Sequence, residues 1–113
     1  MKQLIKIILL SALLGSVGTS VLMADIKKGQ KAYLKTFKSK FKMNGTKFAA
    51  LHTQAEWEEL FANEGKGFKK EFVVIYPKSK KTLEKKNIWK KLQHVKDFAI
   101  EYASDSGNVP SCG

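Results

Sequence analysis

Residues Gly29–Gly45 read G-Q-K-A-Y-L-K-T-F-K-S-K-F-K-M-N-G, and the rest of the chain is placed relative to them. Tyr33, Phe37 and Phe41 follow one another at steps of four, and with Ile26 and Leu34 they form one apolar stripe at helical spacing. Seven lysines between Lys27 and Lys42 fill the remaining positions. The pattern predicts an amphipathic helix with Asp25 as N-cap, ending at about Phe41. Gly29 falls inside it, where glycine costs about 1 kcal/mol relative to alanine. Two explanations are open: a close approach by another helix, or a later helix start with residues 25–28 as a loose arm. Asn44-Gly45 reads as a turn.

Downstream, Phe48–Leu51 predicts one or two helical turns. Thr53-Gln54-Ala55-Glu56 is a capping box, in which hydroxyl and carboxylate each satisfy an orphan amide. Trp57, Leu60, Phe61 and Glu64 follow at helical spacing, and Gly65 or Gly67 closes that helix. Phe68–Tyr76 fits either a helix or a β-favouring run. With no second strand-like segment to pair with, helix is the expectation, ending at Pro77. Lys78–Lys86 holds five lysines in nine residues and reads as an exposed connection. Ile88, Leu92, Val95, Ala99 and Tyr102 step by four, three, four and three, with Trp89 and Phe98 widening the apolar face. Residues 104–113 form a tail, flexible or folded back. The fold class expected is therefore all-α, in one domain.

The N-terminus carries a different pattern. Lys2 and Lys6, an apolar run over Ile7–Leu14 and a small polar stretch to Ser20 have the layout of a secretory signal peptide, residues 1–24, cleaved after Ala24. The apolar run is shorter than the roughly 20 residues of a spanning helix; retention as an N-terminal anchor is the lesser alternative. No cysteine near the cut allows a lipid anchor. Residues 25–113 would then be the exported domain, and the leader and arginine-free composition point to a bacterial periplasm. On that reading the sequon Asn44-Gly45-Thr46 carries no glycan. Without Lys2 and Lys6, 19 basic residues face 10 acidic ones, a formal charge of +9, and every basic residue is lysine. The bidentate guanidinium that reads base edges is missing, so nucleic acid is not an expected partner. An acidic protein or an anionic membrane surface is.

Gly29, Tyr33 and the positions eight, eleven and twelve after the glycine resemble the frame of a small class I cytochrome c, G-x-x-x-[FY]-x-x-x-C-x-x-C-H. In this chain Phe37 and Lys40 stand in the two cysteine positions and Phe41 in the histidine position. The resemblance implies a small helical domain whose first and last helices cross at the glycine, with D-F-A-I-E-Y-A belonging to the last. It also implies electron carriage between partners docked on a lysine rim. The two thiols and the imidazole that hold a c-type haem are absent, so no covalent haem is expected.

Three readings of function follow. The first is an exported, non-catalytic binding or accessory module associated with periplasmic electron transfer. The second is an electron carrier with non-covalent haem, for which Met43, His52 and His94 are the candidate axial ligands. The third is a cationic membrane-surface or small apolar ligand-binding protein. Each candidate also has a plain structural role: His52 as a polar residue before the capping box, His94 facing solvent, Met43 in packing. Phe37 and Phe41 are expected to fill the volume a tetrapyrrole would take. Cys112, the only cysteine, is a candidate for redox chemistry or an intermolecular disulfide. No C-x-x-C, Ser/His/Asp set, metal-ligand spacing or phosphate loop occurs, so neither enzyme activity nor a metal is expected.

Overall fold

The computed structural model describes residues 23–111, and every regular element in that span is helical. Residues 1–22 of the expected signal peptide, together with Cys112 and Gly113, lie outside the described residues.

Helix α1 covers residues 23–41, and its winding changes along the way. Tyr33–Phe37 forms a π turn and Lys38–Phe41 returns to α geometry. The reason lies in the spacing of the rings. A step of four overshoots one α-helical turn by about 40°, so three rings at that spacing drift around the helix. A wider π turn offsets the drift over the first step. Tyr33, Phe37 and Phe41 consequently all face inward and are buried. Lys42 then ends α1 in the left-handed region, φ 55°.

Helix α2, Gly45–Ala49, starts from Asn44, whose side chain accepts the Lys47 N–H at 2.9 Å. The Asn44-Gly45 pair thus acts as a helix cap, where the sequence suggested a turn. Helix α3, Gln54–Ile75, has the expected capping box: Glu56 N–H donates to the Thr53 hydroxyl, and Thr53 N–H donates to the Glu56 carboxylate at 2.8 Å. It is two arms rather than one rod. Ala62 leaves helical geometry, and Asn63, Glu64 and Gly65 follow with φ of 54°, 58° and 76°. Three left-handed residues in succession reverse the chain. Nested ring pairs record the reversal, Phe61 with Phe68 at 4.7 Å and Trp57 with Phe72 at 6.1 Å. Gly65 is therefore the glycine that closes the first arm. Gly67 lies where the arms touch, with space for a Cβ limited by Leu60 at 3.3 Å. Residues 68–75 are helical, not strand.

The lysine-rich connection is more ordered than its composition suggests. Pro77–Ser79 is a 3-10 turn and α4 spans Lys80–Leu83. Ser79, Thr82 and Leu83, at three-to-four spacing, are buried, while the intervening lysines are exposed. Helix α5, Ile88–Glu101, buries Ile88, Leu92, Val95, Phe98 and Ala99, close to the stripe read from the sequence. Its main neighbour is α3. The tail is folded back. Ser104 N–H donates to the His52 carbonyl at 3.1 Å, Gln54 N–H to the Asp105 carboxylate at 2.9 Å, and the Gln30 amide to the Ser111 carbonyl at 3.0 Å.

Gly29 settles its own ambiguity. A Cβ built there would overlap the His94 carbonyl oxygen and come within 2.6 Å of the carbonyl carbon and 2.9 Å of Phe98 Cβ. Close approach of α1 to α5, not a loose arm, is why glycine sits inside the helix.

Two substitutions test this backbone account by urea denaturation. Gly29→Ala forces α1 off α5 and is expected to cost about 2 kcal/mol or more. Lys42→Gly relieves a left-handed side chain and is expected to gain about 0.5–1 kcal/mol, net of glycine's greater freedom when unfolded. Equal stability of Gly29→Ala and the parent would refute the close contact.

Candidate functional site

The elements converge on one aromatic centre. Tyr33 stacks on Phe48 at 4.4 Å, Phe37 on Phe41 at 5.5 Å, and Phe68 on Phe72 at 4.4 Å. Phe41 meets Phe72 and Tyr76, each at 5.0 Å. Such offset and tilted pairs add about 0.5–1.5 kcal/mol each beyond the area they bury. The two polar tips inside the centre are matched. Trp57 Nε1 donates to the Ala49 carbonyl at 2.8 Å, and the Tyr33 hydroxyl donates to the Met43 carbonyl at 2.7 Å. Burial, and secondarily the neighbouring Tyr76, push the Tyr33 hydroxyl well above the usual phenol range. It therefore stays a neutral donor.

The residues singled out from the sequence fall in three places. Phe37 and Phe41 lie inside the aromatic centre with 0% and 1% of their surface exposed. Lys40 is half-buried beside them, and Met43 packs partly against the core. His52 lies at the start of α3, with its ring edge-on to Trp57 at 4.8 Å. Its Nε2 sits 2.6 Å from Glu71 Oε2 and its Nδ1 3.4 Å from Glu56 Oε1. One imidazole thus ties the entry of α3 to both arms. His94 is on α5, where its Nδ1 is buried without a hydrogen-bond partner and the Asp25 carboxylate is 3.7 Å away. The expectation of a solvent-facing His94 is met only in part, because the side chain is 35% exposed. Cys112 lies outside the described residues.

Two features escape sequence reading. Glu71 is separated from His52 by a chain reversal, and only the left-handed turn brings them together. Asp25, His94 and Asp97 form a second small group where α1 approaches α5 closely. There burial, with the Asp25 charge adding to it, raises the Asp97 carboxyl above its ordinary value, while Lys96 and His94 pull the other way. Glu56 shifts in the opposite direction, held below the usual carboxylate range mainly by the Thr53 backbone N–H.

His52 is engaged by two carboxylates, Glu71 and Glu56, which fix the orientation of its ring. Among the described residues, no group of three His, Cys, Asp or Glu side chains is placed to hold a metal ion. No helix among them is long and apolar enough to cross a membrane. Around the centre, Lys27, Lys31, Lys35, Lys38 and Lys42 recur at steps of four, four, three and four along α1, all exposed. The site is an aromatic interior under a cationic face.

The two carboxyl shifts give opposite pH signatures. Asp97 binds its proton more tightly when folded, so its ionisation opposes folding as pH rises through the raised value. Asp97→Asn is expected to raise the melting temperature at pH 7, with the gain vanishing below the ordinary carboxyl range. Glu56 supports folding when ionised, a contribution lost as pH falls through its lowered value. Glu56→Gln is expected to lower the melting temperature at pH 7 and leave it unchanged at pH 2. Melting curves across pH check both.

Compared with family models, curated proteins and solved structures, the chain matches none.

Proposed function

We propose that this chain is an exported, cytochrome-c-like protein without a covalent haem site, a non-catalytic module that docks an acidic partner in periplasmic electron transfer. The observation that carries the reading is the burial of Phe37 and Phe41 in a continuous ring cluster. These are the positions where the resembling family would place a thiol and the axial histidine. Here they hold hydrocarbon: Phe37 packs against Tyr33 and Phe41, and Phe41 against Phe72 and Tyr76. A protein built this way gives up redox chemistry at that position and keeps a shape. The glycine at position 29, pressed against α5, supports the same reading.

What remains for function is the surface. The exposed lysines of α1 lie on one side of the helix, opposite the stripe of rings. Lysine on an exposed face steers an acidic partner at long range and binds it in a salt-dependent way. The retained aromatic interior holds that face rigid, which limits the ordering cost on docking.

Two measurements test the proposal. Protein purified from the exporting cell is expected to show no Soret absorbance and a mass equal to polypeptide alone, and to bind acidic electron-transfer proteins at low salt. That binding should weaken as salt brings the Debye length to about 8 Å or less. A Soret band that survives purification would overturn it in favour of a haem carrier. Independently, Phe41→Ala is expected to cost about 3–5 kcal/mol in urea denaturation, as removal of a core ring does. A cost under about 1 kcal/mol would mean that Phe41 fills no essential volume.

A further inference from the structure

At the end of α3 the fold leaves two consecutive aliphatic side chains in water: Val74 is 76% exposed and Ile75 56%. Neither is needed inside. Phe72 and Tyr76 supply the ring contacts of this turn to Phe41, and Pro77 ends the helix. Helical spacing places Val74 in line with Lys66 and Lys70, and Val73 in line with Lys69. Beside them runs a groove of about 530 Å3, lined by Lys69, Lys70, Val73, Val74, Leu83 and Glu84. Lys78, Lys80 and Lys81 follow immediately and are exposed. An aliphatic tip is thus bracketed by three lysines before it and three after, with Glu84 the one acid on the groove.

We propose that this tip docks the protein on an anionic lipid bilayer, with Val74 and Ile75 entering the headgroup boundary and the six lysines contacting lipid phosphates. Charge and residue type both favour a bilayer over a protein. Lysine and aliphatic residues together are what an interfacial segment presents, with long stems lying along the apolar insert and ammonium groups at the phosphates. Protein interfaces instead favour aromatic anchors, and the lining of this groove contains none. Each lysine near an anionic surface contributes about 1 kcal/mol, so the electrostatic part dominates and the aliphatic pair sets depth and location. The lipid site does not depend on the cytochrome-like reading and stands if a haem is found.

The test is co-sedimentation with vesicles of phosphatidylcholine alone and of phosphatidylcholine mixed with phosphatidylglycerol, using protein purified from the exporting host. Parent and variants then share the same N-terminus. The parent is expected to pellet with the anionic vesicles, to be released by salt and to leave the neutral ones in the supernatant. Val74→Ser/Ile75→Ser, whose changes are on exposed positions, is expected to keep its circular dichroism and bind about 10-fold more weakly. Lys78→Gln/Lys80→Gln/Lys81→Gln is expected to lose about 10-fold or more and most of the salt sensitivity. Equal binding of the parent to neutral vesicles would overturn the proposal. So would parent-like vesicle binding by the serine variant, or a serine variant that keeps vesicles and loses an acidic protein, which would make the tip a protein interface.

Discussion

Aromatic packing is the constraint from which the rest of this structure follows. Cys112 is the only cysteine, so no disulfide within the chain can restrict the unfolded state. Cohesion has to come from burial. Tyr33, Phe37, Phe41, Phe48, Trp57, Phe61, Phe68, Phe72 and Phe98 are all at or below 1% exposure, and full burial of each such side chain contributes about 1.5–3 kcal/mol. Rings of this size tolerate few alternative arrangements at interior packing density. Helices that present them must therefore sit close together and in register.

That demand explains the local departures from regular geometry. The π turn at Tyr33–Phe37 offsets the drift of the three rings around the helix axis. Gly29 removes the Cβ that would hold α1 off α5. The left-handed run Asn63-Glu64-Gly65 folds α3 on itself so that Trp57 and Phe61 meet Phe72 and Phe68. Each irregularity costs conformational energy of about 1–3 kcal/mol, and each is offset by ring contacts it permits. The polar atoms caught in the interior are mostly matched, Trp57 Nε1 and the Tyr33 hydroxyl by backbone carbonyls. Among the described residues, His94 Nδ1 is the exception, left without a partner where α1 approaches α5.

Much of the helical content was legible because the chain repeats its apolar residues at three-to-four spacing. The capping box at Thr53, the stop at Pro77 and the buried face of α5 came from local signals of known geometry. What stayed hidden depends on geometry that spacing does not encode. Asn44-Gly45 carries the same composition whether it turns the chain or caps a helix. Lys78–Lys86 looked like solvated linker because five lysines outweigh Ser79, Thr82 and Leu83, yet those three share one face and are buried. The pairing of His52 with Glu71 required the chain reversal between them. Of the residues considered for ligation, Phe37 and Phe41 come together in the centre. Met43 meets the centre only through its carbonyl and its partial packing, while His52 is engaged by Glu71 and His94 lies apart, its Nδ1 3.7 Å from the Asp25 carboxylate and without a hydrogen bond.

The hydrogen bond from Gln30 to the Ser111 carbonyl ties the folded-back tail to the first helix, two turns from the start of the described residues. The span of described residues can therefore be relinked by a short spacer from Ser111 back to the start of α1, at little loop-closure entropy. It could then be opened at the exposed reversal over residues 62–64, where the backbone already departs from right-handed helical geometry. Such a circular permutant would keep every ring contact while exchanging which helix is synthesised first. The order of the helices along the gene is thereby separated from their order in space.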